Sequence, residues 1–307
     1  MNAHHPRSAR PADRESAGRS GVRDPRAGVV DEPVDGVLTE RSARIVAAHK
    51  LLRRSRRSEA GEFLAEGAPA VSEAIAAEVD HPGTVLELYL TEAAGTRHPE
   101  LARRAFAAGL TVTQVTERAA AALTDAVTPQ GLVVRCALPA RTVSDLLATG
   151  PKLLAVLVQT SDPGNTGTVI RLADAAGADG VIVAGAAADP VNPKAVRASA
   201  GSLFHLPVVT APDAAALIAE LGAAGLSVLA STGHTDLELD QADRDGILDL
   251  PTAWLFGSEA HGLPEPIIAA ADERVRIPIY GRAESLNLAA AAAICLYASA
   301  AAQRRAG

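Results

Sequence analysis

Three short stretches bring together side chains that could do chemistry, and each follows a run of apolar residues. The first is QTSDPGNTGTVIRLADAAGADG at 159–180. Asp162 and Asn165 suit the start of a helix beginning near Asn165, because their short polar side chains satisfy orphan N–H groups. Gly164 and Gly167 let the backbone approach another group closely. A Gly/Pro-rich loop between strand and helix often cradles a nucleotide, but the spacing here fits neither G-x-G-x-x-G nor the Walker A pattern. Arg171, on the same helix, reads on its own as a solvated helix residue. The second stretch is LFGSEAHGLPEP at 255–266. Glu259 alone reads as a surface carboxylate. His261 invites a metal or acid–base role, yet no second His or Cys stands at ligand spacing, so it reads as a bystander and no metal is expected. In the third, ESLN at 284–287, Ser285 and Asn287 read on their own as caps of the alanine-rich helix that follows.

These loops need a scaffold, and the hydrophobic pattern supplies one. Residues 1–38 are rich in Arg, Pro, Gly, Asp and Ser and hold few large apolar groups, so they are expected to form a disordered basic tail. From 39 to 138 helical and strand patterns alternate, which predicts a small α/β/α unit. It opens with a helix over SARIVAAHKLLRRSRR, whose arginines face away from the apolar side. Residues 139–151 read as a linker with a short helical piece. From 152 to 307 the strands LLAVLVQ, GVIVAG, SLFHLPVV, LSVLAS, TAWLFG and RVRIPI alternate with helical stretches. They show no in/out alternation, so they are expected in a parallel sheet covered on both faces.

The 307 residues carry a net charge of −7, which argues against a general polyanion-binding surface. The distribution matters more. Residues 1–151 hold 19 basic and 19 acidic side chains, against 10 and 17 in 152–307. The densest basic cluster is KLLRRSRR at 50–57, with Arg53, Arg54, Arg56 and Arg57. A local patch is enough for phosphate contacts, because screening confines such interactions to about 8–10 Å. Aromatic residues are 3% of the chain, too few for a base-stacking platform. No stretch has the length and apolarity of a membrane span, and no signal peptide is seen, so a cytoplasmic protein is expected. Cys136 and Cys295 stand far apart in apolar surroundings and read as buried thiols.

D-P-G-N-T-G…R, F-G-S-E-A-H-G-L and I-P-I…E-S-L-N-L follow one another in this order, each at a strand end. Together they resemble the SpoU (TrmH-type) branch of the SPOUT methyltransferases over 152–302. GEFLAEG and TPQGLV are similar to segments of the substrate-binding domain often attached to that family. The resemblance implies an α/β knot fold with a deep trefoil knot, S-adenosylmethionine (SAM) as cofactor, and a homodimer whose site borrows residues across the interface. The family's catalytic roles fall on Asn165, Arg171, Glu259, Ser285 and Asn287. Its cofactor-binding positions fall on Ser231, Thr232, Gly233, Leu255, Gly257, Ile277, Ile279 and Leu286. Two positions depart from the usual pattern. Ala260 replaces a glycine that would relax the second loop, and Ala289 lacks the hydroxyl of a usual serine.

The implied reaction is methylation of a ribose 2′-hydroxyl in structured RNA. Arg171 would activate or orient the hydroxyl, and the arginines at 53–57 would hold RNA backbone. The attached domain points to 23S rRNA ahead of tRNA. A tRNA 2′-O-methyltransferase and a non-catalytic RNA-binding protein of the same fold are the alternatives.

Overall fold

The computed structural model describes Met1, residues 36–258 and residues 260–306. Most of the expected tail and Glu259 lie outside the described residues. Leu38, assigned to the tail from sequence, pairs through its backbone with Gln114 and Thr116.

The N-terminal unit runs α1 (Ala43–His49), α2 (Arg54–Ala60), β1 (Glu62–Glu66), α3 (Ala68–Asp80), β2 (Val85–Leu90), α4 (Glu92–Arg97), α5 (Pro99–Ala107), β3 (Val112–Gln114), α6 (Glu117–Ala122) and β4 (Leu132–Ala137). Its four strands are ordered β1-β4-β2-β3, with only the β2–β3 pair parallel. The single helix expected over 42–57 is broken. Lys50–Leu52 tighten into a 3-10 turn and Arg53 is extended, with φ −98° and ψ 131°. That bend turns the following helix and carries Arg57 inward.

After α7 (Val143–Leu147) come β5 (Leu153–Val158), α8 (Pro163–Ala176), β6 (Gly180–Ala184), α9 (Pro193–Ser199), β7 (Val208–Ala211), α10 (Ala214–Ala223), β8 (Ser227–Ser231), α11 (Leu239–Arg244), β9 (Thr252–Phe256), α12 (Glu265–Ala270), β10 (Glu273–Val275) and α13 (Leu288–Ala306). The six strands form one sheet, β10-β8-β9-β5-β6-β7, with every pair parallel. The continuous apolar runs predict this, since both faces are covered. On β9 the alternation is direct: Trp254 and Phe256 enter one apolar cluster, while Ala253 and Leu255 enter the other. SLFHLPVV is not a strand throughout. Ser202–Phe204 form a 3-10 turn, and β7 starts only after Pro207, which has no N–H to give a ladder.

The cluster containing Trp254 continues without a break to Phe63 and Ile75 of the N-terminal unit. Cys136 and Cys295 are free and buried, as their apolar context predicts. Among the described residues no helix is long and apolar enough to cross a membrane.

Candidate functional site

Ligands of parallel α/β sheets sit beyond the carboxyl ends of the strands. Here the ends of three neighbours, β10, β8 and β9, border one cavity of about 290 Å³. Its walls come from four places. Ser231, Thr232 and Gly233 leave β8, and Phe256, Gly257 and Ser258 leave β9. Ile277 and Ile279 follow β10, and Glu284, Ser285, Leu286 and Leu288 lead into α13. The lining is mixed. Isoleucine and leucine side chains give an apolar floor, and hydroxyls and loop backbone give polar edges. That donor set suits a ligand with a flat apolar ring and a polar chain, as in an adenosyl-type cofactor.

Gly257 holds the second loop tight. Ser258 and Gly262 exchange backbone hydrogen bonds, Ser258 N–H to Gly262 O at 3.1 Å and Gly262 N–H to Ser258 O at 2.8 Å. A Cβ on Gly257 would lie 2.1 Å from the Gly262 carbonyl carbon, so this backbone approach admits only glycine. Gly262 itself has φ +66°, in the left-handed region. The opposite wall is pinned from α13, where Cys295 is hydrogen-bonded to Ser231. Burial pushes the Cys295 thiol up to about 12, against the lowering effect of that bond.

Asn287 caps α13: its Oδ1 accepts from the Ala290 N–H at 2.7 Å. The capping role read for Asn287 is therefore real, and it leaves Ser285 and Leu286, the two residues before it, at the cavity. Leu255 does not line the cavity. Its side chain is fully buried in the cluster on the other face, and Phe256 reaches the cavity instead. The other seven positions expected to hold a cofactor all line it.

The first loop leaves β5, which pairs with β9. Asp162 is the N-cap of α8, accepting from the Gly164 N–H at 2.8 Å. Lys194 of α9 donates to the same carboxylate at 2.7 Å. That bond first, and the Gly164 N–H second, hold the Asp162 carboxyl below its ordinary pKa. The close approach allowed by Gly164 and Gly167 is to α9. A Cβ on Gly167 would stand 2.1 Å from the Ala195 carbonyl oxygen. Asn165 is half-buried and Arg171 is exposed on α8, and neither lines the cavity. Among the described residues Arg171 has no hydrogen-bond or ion-pair partner. Lys194 had no signal in the sequence, since its partner is 32 positions away.

Of the basic cluster, Arg53, Arg54 and Arg56 are exposed. Arg57 is not: it is 2% exposed, gives Nε and Nη2 to Asp189 at 3.0 and 2.6 Å, and gives Nη1 to the carbonyls of Leu51 and Leu52. It therefore cannot face a nucleic acid.

A covered parallel sheet with a mixed cavity at its carboxyl ends defines a cofactor-binding α/β protein, here with a second domain attached. Comparison with known proteins narrows this. Residues 152–297 match the model of the SpoU rRNA Methylase family, and residues 42–134 match an MRM3-like substrate binding domain. The 23S rRNA (guanosine(2553)-2′-O)-methyltransferase RlmP of Bacillus subtilis is 34% identical over 81% of this chain and 92% of its own. A 23S rRNA (uridine(2479)-2′-O)-methyltransferase of Streptomyces viridochromogenes is 37% identical over 85% of this chain and 90% of its own. Among solved structures, the SpoU methyltransferase AviRb from S. viridochromogenes in complex with AdoMet superposes with a TM-score of 0.73 at 33% identity. It covers 87% of this chain and 100% of that one. The AdoMet-bound rRNA methyltransferase of Sinorhizobium meliloti gives 0.71 at 30% identity over 86% of this chain and 97% of its own. The chain belongs to the SpoU rRNA methylase family.

Proposed function

We propose that this protein transfers a methyl group from SAM to a ribose 2′-hydroxyl of 23S rRNA, acting in the cytoplasm as a homodimer. The observation that carries the reading is the cavity where loops after β8, β9 and β10 converge with residues 284–288. Residues 39–138 act as the RNA-binding module, 139–151 as the linker and 152–307 as the catalytic module. A trefoil knot in the C-terminal module is supported by the match of residues 152–297 to the SpoU family.

SAM supplies an activated methyl group, and no metal is required for its transfer. Ser231, Thr232, Gly233, Gly257, Ile277, Ile279 and Leu286 would hold it. The remaining task is to align the ribose oxygen with the methyl carbon, for which good orientation is worth up to about 7–11 kcal/mol. Arg171 is suited to clamp the phosphate beside the target ribose, as a planar donor fork. It is not the base, since a guanidinium stays charged in proteins. Asn165, Glu259 and Ser285 serve the ribose and the loops around it, and Asn287 fixes the start of α13. Arg171 does not line the cavity of its own chain, which supports a site completed across a dimer. Ile294 and Tyr297 of α13, 40% and 48% exposed, offer that dimer an apolar face.

Purified protein given labelled SAM and unmodified 23S rRNA is expected to place the label on a ribose 2′-oxygen. Label on a base, or none on 23S rRNA, overturns the proposal. RNA affinity should depend on Arg53, Arg54 and Arg56. Replacing all three by alanine is expected to flatten the log–log salt dependence by about 2 to 3, three phosphate contacts contributing ~0.7–0.9 each. An unchanged slope in a filter-binding titration would show these arginines to be a solvated face.

A further inference from the structure

Helix α9 and its flanking residues touch both working parts of the chain. On one side α9 meets α8 backbone to backbone, through Gly167 and Ala195, and Lys194 grips the Asp162 cap. The loop before α9 also holds the first motif, with the Ala188 N–H on the Thr160 carbonyl at 2.7 Å. On the other side the same segment docks on the N-terminal unit. Asp189 accepts two bonds from buried Arg57, and Arg54 reaches the Ala187 carbonyl at 3.4 Å. Arg197 of α9 pairs with Asp125 and, at 3.5 Å, with Glu66 at the end of β1. Past α9, Phe204 stacks on Phe63 with ring centroids 6.2 Å apart. His205 bridges Glu73 of α3 and Asp174 of α8 at 3.2 and 2.8 Å.

A buried ion pair is costly unless both partners are fully bonded, and it holds one arrangement where its geometry is met. Arg57 is bonded through Nε, Nη1 and Nη2 at once. It also sits on the same short helix as the exposed Arg54 and Arg56. Displacing Asp189 from Arg57 would thus shift the basic surface relative to α8, which carries Asn165 and Arg171.

We infer that α9 with the loop before it is a rigid coupling that keeps the RNA-holding arginines in register with α8, and that Arg57, Asp189 and Arg197 are positioning residues for methyl transfer. The inference rests on the reaction proposed above. A misplacement of about 1 Å between bound substrate and reacting groups costs on the order of 100-fold in rate, while the binding groups themselves stay intact.

The test uses the full chain with Asp189→Ala and, because that change strands a buried charge, also with half-exposed Arg197→Met. RNA affinity, SAM affinity and the single-turnover rate on saturating enzyme are measured for each. The expected result is a rate about 10- to 100-fold lower, with both affinities within about threefold and Arg197→Lys regaining most of the rate. An unchanged rate, or loss of SAM binding together with the rate, overturns the coupling. A second readout does not need activity. Spin labels on Glu100→Cys and Glu220→Cys, the native cysteines being buried, should show a broadened distance in Asp189→Ala, and an unbroadened one overturns the inference. A parent protein that transfers no methyl to 23S rRNA would sink the reaction, with the distance measurement still deciding the coupling.

Discussion

Arg171→Ala is expected to lower the single-turnover rate of methyl transfer about 100- to 1,000-fold, the loss typical of removing one donor to developing charge. SAM affinity should stay within twofold, because Arg171 lies outside the cavity. Stability should hardly move. Arg171 is exposed and, among the described residues, unpaired, and alanine is at least as good a helix former. A drop in SAM affinity equal to the drop in rate would assign Arg171 to cofactor binding instead. The same variant tests the shared site. Co-expressed with Gly257→Ala and assayed at a SAM concentration too low to fill the Gly257→Ala cavity, it can form a mixed dimer in which one intact cavity faces one intact Arg171. Activity returning in that mixture fits a site completed by the second subunit. A mixture as inactive as its parents would place Arg171 in its own chain's site.

Gly257→Ala is expected to weaken SAM binding about 10- to 100-fold. The added Cβ meets the carbonyl carbon and oxygen of Gly262 at 2.1 and 2.3 Å and the Leu263 nitrogen at 2.3 Å. All three are backbone atoms, so no side chain can swing away. Overpacking of this kind costs about 1–3 kcal/mol, and each 1.4 kcal/mol is about tenfold in affinity. The displaced hairpin would take Ser258 and Gly262 from the cavity wall. Gly281→Ala is the control: a Cβ there meets nothing within 4 Å. Calorimetric titration with SAM reads both variants. Equal affinity for Gly257→Ala and the parent would show that the loop relaxes freely and does not shape the site.

The parallel sheet and its strand-end loops were legible in the sequence because their signals are local. A buried strand is a continuous apolar run, and a loop that turns at its end needs Gly, Asp or Asn within a few residues. Asp162 caps α8 through an N–H two positions on, Gly257 meets backbone five and six positions on, and Asn287 caps α13 through an N–H three positions on. What escaped depends on distant partners. Arg57 and Asp189 are 132 positions apart, and Arg197 and Glu66 are 131 apart. No periodicity marks such pairs. Arg57 read as surface because one unbroken helix puts it beside Arg53 and Arg56, and only the 3-10 turn at Lys50–Leu52 redirects it. Leu255 was misplaced for a simpler reason. Adjacent strand residues point to opposite faces, and the motif does not say which of two neighbours opens on the cavity.

Helix α13 also sets the order in which the site can come into being. Ser299 receives the Trp254 indole N–H at 2.9 Å, and Gln303 donates to the carbonyls of Lys152 and Leu250 at 3.0 and 2.8 Å. Leu288 and Ala291 supply the cavity's last wall. During synthesis the sheet can therefore begin to form from β5 onward, but the cavity stays open on one side until residues 284–303 have left the ribosome. The sheet can thus exist before the site does, and the cavity closes only when α13 docks.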